Sequence, residues 1–78
     1  MIGYGLVTYV DGIENDEPPI YFGRERALSC LHKHPKFSIN LTESEDTKGD
    51  LHYKDQEGKL IISLIAFDFQ PVSLLMQS

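Results

Sequence analysis

Residues 59–69 read KLIISLIAFDF, and how this stretch folds decides the architecture of the whole 78-residue chain. In an extended strand Leu60, Ile62, Leu64 and Ala66 line one face, while Ile61, Ile65, Phe67 and Phe69 line the other around a single polar residue, Ser63. Isoleucine and phenylalanine suit a pleated surface better than a helix, so the stretch reads as a strand buried on both sides. One layer of helix covers only one face of a sheet. The other face calls for a curled sheet or a second copy of the chain.

Outward from this strand, Leu51 and Tyr53 alternate with His52 and Lys54, and Asp55, Gln56, Glu57 and Gly58 supply a turn, so residues 50–69 form a hairpin. Phe37, Ile39 and Leu41 alternate with polar neighbours and predict a half-exposed strand over residues 37–42, followed by an acidic loop over 43–49. Residues 2–10 predict a first strand weakened by Gly3 and Gly5. Asp11-Gly12 opens a turn into a loop that Pro18-Pro19 closes before a short extended piece, residues 20–22. Ala27, Leu28 and Leu31 share one stripe of a helix over residues 24–33, which Pro35 terminates. Residues 71–78 read as an edge strand or an interface segment. The expected fold is α+β: a single domain over 1–78, with an antiparallel sheet of four or five strands and one helix packed on a face.

Composition narrows the function classes. A net charge of −5 argues against nucleic-acid and anionic-membrane surfaces, which demand a positive footprint. Cys30 is the only cysteine, so no internal disulfide forms. The opening residues lack the pattern of a secretory signal, and no apolar run reaches the roughly 20 residues of a membrane span. The expected location is the cytoplasm. By the same reading Asn40-Leu41-Thr42 is a chance match to a glycosylation sequon.

The charges are sorted along the chain. Asp11, Glu14, Asp16 and Glu17 form one acidic run, and residues 43–57 hold six acids against Lys48 and Lys54. Between them lie Arg24, Arg26, Lys33 and Lys36, with Glu25 the only acid. Such sorting steers encounters with a charged partner. The expected docking residues are Asp11, Glu14, Asp16, Glu17, Glu43, Glu45, Asp46 and Asp50, presented on loops.

Arg24 and Arg26 stand in the first helical turn, where the dipole disfavours cations. They pair either with nearby acids or, together with Gly23, with a bound anion. Cys30, His32 and His34 lie close in sequence and His52 could approach them, but no four-ligand zinc pattern accompanies them, so neither a metal nor another cofactor is expected. Ser29, Ser63 and Cys30 lack the setting of an activated nucleophile. Asp68, the one acid inside the apolar strand, is expected to emerge at its end.

No catalytic set assembles from these residues. The expected function is therefore a non-enzymatic protein-binding module, with no direct nucleic-acid or membrane contact, that docks acidic loops onto the basic surface of another protein. One version is an inhibitor covering a nucleic-acid groove, in the manner of small accessory proteins of phages and mobile elements. The alternatives are a homodimeric structural or regulatory subunit and a small anion-binding domain built on Gly23, Arg24 and Arg26.

Overall fold

A computed structural model describes residues 2–68. The elements run β1 (Ile2–Val10), β2 (Ile13–Phe22), α1 (Arg24–His32), β3 (Thr42–Glu45), β4 (Leu51–Lys54) and β5 (Leu60–Asp68). They form one five-stranded sheet in the order β2-β1-β5-β4-β3, every pair antiparallel. The α+β class and the helix position match the expectation. The proposed edge or interface segment at 71–78 lies outside the described residues.

The apolar stretch forms the central strand, but of the two faces expected to be buried only the one toward α1 is sealed. Ile62 and Leu64 face α1 and are 0% and 1% exposed. They join Leu6, Leu51, Tyr53, Ala27 and Leu31 in one core. Ala27 and Leu31 are four residues apart, so both fall on the helical face turned to the sheet, and both are fully buried. On the opposite face burial is graded. Ser63 is closed, Ile61 and Ile65 are half-buried, and Phe67 is 41% exposed. Asp68 is the last, exposed residue of β5.

Two expectations are corrected. The acidic run after Asp11 is strand rather than loop. Asp11 and Gly12 adopt φ of 52° and 80°, making a two-residue reversal that sets Val10 opposite Ile13 and starts a hairpin at once. Pairing with β1 then overrides the poor strand propensity of acids and prolines. Edge position makes this tolerable, because the outer side of β2 bonds to no strand of the sheet. The prolines sit at a shift in register: Leu6 pairs with Glu17 and Tyr4 with Tyr21, so β2 advances further than β1 across Pro18-Pro19.

The second correction concerns residues 37–45. The predicted strand at 37–42 is a series of turns, and the predicted acidic loop holds β3. Backbone bonds from Phe37 to His34 and from Leu41 to Ser38, with the Asn40 amide donating to Ser38 Oγ, use up the groups a strand would pair. Phe37 turns inward onto Tyr53, edge to face at 5.4 Å, while Ile39 stays 92% exposed.

What places β3 further on is a turn of the same chemistry as the one before β5. In residues 46–50, Asp46 Oδ1 accepts from the Lys48 and Asp50 amides and the Gly49 amide donates to the Asp46 carbonyl. In residues 55–59, Asp55 Oδ1 accepts from the Glu57 and Lys59 amides and the Gly58 amide donates to the Asp55 carbonyl. Each Asp-x-x-Gly unit closes a hairpin, so strands must flank both.

Truncating Leu31 to Ala should destabilise the chain by about 2–5 kcal/mol, through lost burial and a residual cavity. Ile39→Ala should stay within about 0.5 kcal/mol of the parent. Urea denaturation of the two variants checks this; equal losses would mean that residues 37–42 pack as a strand.

Candidate functional site

The eight acids expected to dock a partner fall at opposite ends of the sheet. β2 and β3 are its two edges, four strand spacings or roughly 19 Å apart. Most of these carboxylates already have partners. Glu17 Oε2 meets His34 Nε2 at 2.5 Å. Glu43 accepts from the Tyr53 hydroxyl at 3.0 Å, and Glu45 lies 3.4 Å from Arg24 Nη2. Asp46 holds its turn together and also meets His52 Nε2 at 3.1 Å. Asp50 is only 8% exposed and accepts from the Ala66 amide at 2.8 Å, so it braces β5 rather than facing a partner. Asp11, at the tip of the first hairpin, has among the described residues only a loose pair with Lys59 at 3.7 Å, both side chains largely exposed. Pairs of that kind contribute about 0–1 kcal/mol.

Glu14 and Asp16 are different. Both are exposed, and neither makes a hydrogen bond or ion pair among the described residues. They stand two apart on β2, opposite Tyr9 and Val7, and therefore on the face of the sheet away from α1. There they border an apolar trough. One cavity of about 310 Å³ lies among Val7, Tyr9, Glu14, Asp16, Ile65 and Phe67. A second, of about 190 Å³, shares Val7, Asp16 and Phe67 with it and extends toward Gly5 and Ile20. Gly5 shapes this end: a Cβ there would stand 3.1 Å from both Ile20 Cδ1 and Phe67 Cε2, so the missing side chain lets the two close over the strand.

The basic corner is partly neutralised from within. Arg24 reaches Glu45, the internal pairing foreseen as one alternative, while Arg26 is exposed and makes no ion pair among the described residues. Gly23 has φ of 115° and its carbonyl accepts the first helical bond, from the Ala27 amide. Cys30, His32 and His34 turn to separate neighbours. His32 meets Phe37, His34 meets Glu17, and the Cys30 thiol bonds the Tyr21 hydroxyl, which with burial pushes that phenol upward.

One constellation has no counterpart in the sequence reading. Asp46 Oδ2 meets His52 Nε2 at 3.1 Å, His52 Nδ1 meets Ser63 Oγ at 2.8 Å, and the Tyr9 hydroxyl donates to Ser63 Oγ at 3.2 Å. A carboxylate can only accept, so Nε2 carries the proton; in a neutral ring Nδ1 then accepts from the Ser63 hydroxyl. The order of groups resembles a hydrolytic triad, but Ser63 is 0% exposed and no substrate carbonyl can reach it. The chain of bonds ties the acidic turn to β4, β5 and β1. A register shift between Tyr53 and Lys54 is what sets His52 opposite Ser63; counting back from the turn at 55–58 would have paired His52 with Ile62 instead, so the sequence alone hid this contact. Asp46, Asp50 and His52 also bring potential metal-binding atoms within 4.8 Å of one another, yet each of these side chains is already held in the hydrogen bonds given above.

Hydrogen bonding shifts one titration and burial leads another. The His52 bond, helped by the Asp50 and Lys48 amides, holds the Asp46 carboxyl below the usual carboxylate range. Burial, then the bond to Glu43, pushes the Tyr53 phenol up to about 12. Among the described residues no helix is long and apolar enough to cross a membrane. No protein-family model matches the chain, and no curated protein or solved structure is significantly similar to it.

The folded chain holds the Tyr53 proton more tightly than the unfolded chain does. The stability this contributes is whole below about pH 10 and is lost as pH rises toward about 12. Tyr53→Phe should lose correspondingly less over that interval in denaturant titrations. Asp46 works in the other direction: its contribution is present above about pH 4 and lost as pH falls below it. Asp46→Asn should therefore be less stable than the parent at neutral pH, with the gap narrowing in acid; a gap independent of pH would show that the carboxylate charge is not what holds the turn.

Proposed function

We propose that this chain is a non-enzymatic protein-binding module that docks the acidic edge of β2 onto a basic surface of another protein. One observation carries the reading. Of the eight acids expected to dock, only Glu14 and Asp16 are left without any partner among the described residues, and they stand side by side above an apolar trough. Carboxylates held by internal bonds are already compensated. Free carboxylates beside apolar surface supply both the steering field and the desolvated contact that a protein interface uses.

The finer form of the proposal is inhibition. A basic surface that normally receives phosphates would accept these carboxylates in their place and be blocked. The burial of Ser63 supports the non-enzymatic reading, because it closes the one serine that stands in a triad-like order among the described residues.

Affinity capture from the source cells, followed by kinetics on the captured partner, tests the proposal. Reversing Glu14 and Asp16 to Lys should slow association by at least about tenfold at low salt and flatten its salt dependence. The same reversal at Glu43 and Glu45 should change it far less. Binding that survives the β2 reversal unaltered would sink the docking reading.

A further inference from the structure

We propose that the partner supplies an extended segment that adds to the outer edge of β2 along residues 13–17 as a sixth strand, with lysine or arginine at alternate positions facing Glu14 and Asp16. This rests on the protein-binding reading and specifies its mode. Three features of the edge lead to it.

The first is the edge itself. β2 ends the sheet, and its outer side pairs with no strand among the described residues. Residues 13–17 each keep an amide proton, and all but Glu17 are exposed, with Ile13 at 72%. Pro18 and Pro19 follow and lack that proton, so they set where an added strand must stop.

The second is the spacing of charge. Glu14 and Asp16 project on one face at the two-residue repeat of a strand. A neighbouring strand with cations at the same repeat sets each opposite a carboxylate, while their apolar stems lie over the trough of Val7, Ile65 and Phe67. At the other edge, β3 is only four residues long and its carboxylates are engaged with Tyr53 and Arg24.

The third is what the edge refuses. If β2 paired with β2 of a second copy, carboxylate would face carboxylate, and like charges directly opposite are destabilising. The same residues that block self-association admit a basic strand.

The test uses the full chain and defined capped peptides: one alternating threonine with lysine, one of the same composition with its lysines adjacent, and one alternating peptide N-methylated along a single edge. The readout is amide hydrogen exchange of residues 13–17 by NMR. At ten times its dissociation constant, in the millimolar range if need be, the alternating peptide should slow the outward-facing amides about tenfold. The other two peptides should leave them unchanged. Replacing Glu14 by Gln and Asp16 by Asn, which preserves shape, should weaken the alternating peptide roughly twofold to thirtyfold.

Equal binding of all three peptides without amide protection overturns strand addition while leaving the docking reading in place. The same holds for a dimer in sedimentation whose residues 13–17 are protected without any peptide. If no basic peptide perturbs β2 and the Lys reversals leave native binding intact, both readings fail.

Discussion

Ile62 and Leu64, sealed against Ala27 and Leu31, set the orientation of the whole sheet. Side chains on a strand alternate, so fixing these two toward the helix fixes Ser63, Ile65 and Phe67 away from it. The neighbours follow through register: Leu6 and Leu51 pair with Leu64 and join the core, while Val7 and His52 pair with Ser63 on the other face. A slip of one residue would bury Ser63 under the helix and expose Ile62. The trough, the hydrogen-bonded chain and the free carboxylates all inherit their positions from this one packing contact.

The charge pattern makes physical sense on this frame. Acids are poor strand formers, and both edge strands are rich in them. An edge exposes unpaired amides and carbonyls, and charge and proline guard it against indiscriminate pairing. The two edges are guarded differently. On β3 the charges are compensated internally, whereas on β2 the prolines limit the edge and two carboxylates stay uncompensated among the described residues. That asymmetry separates acids that serve the fold from acids available to a partner.

The link from Asp46 through His52 to Ser63 and Tyr9 shows why an ordering of residue types is not a mechanism. The distances suit a relay, but the serine is enclosed by its own sheet. The same bonds explain instead how a short loop and a four-residue edge strand stay attached to a small core. Bonds of this kind satisfy buried polar groups that would otherwise cost about 1–3 kcal/mol each.

Local pattern determined a good deal of this protein. The central strand, the hairpin after Asp55 and the helix ending before Pro35 follow from periodicity and turn chemistry, which act over a few residues. The second Asp-x-x-Gly unit at 46–49 was equally open to reading and would have placed β3 correctly. Other features belong to the tertiary structure alone. Residues 13–22 become a strand because β1 supplies a pairing partner, against the preference of their own acids and prolines. Phe37 faces inward because Tyr53 lies across from it, while Ile39, two residues on, is left in solvent. Which carboxylates remain free depends on side chains distant in sequence, Glu17 on His34 and Glu45 on Arg24, and no one-dimensional pattern contains those distances.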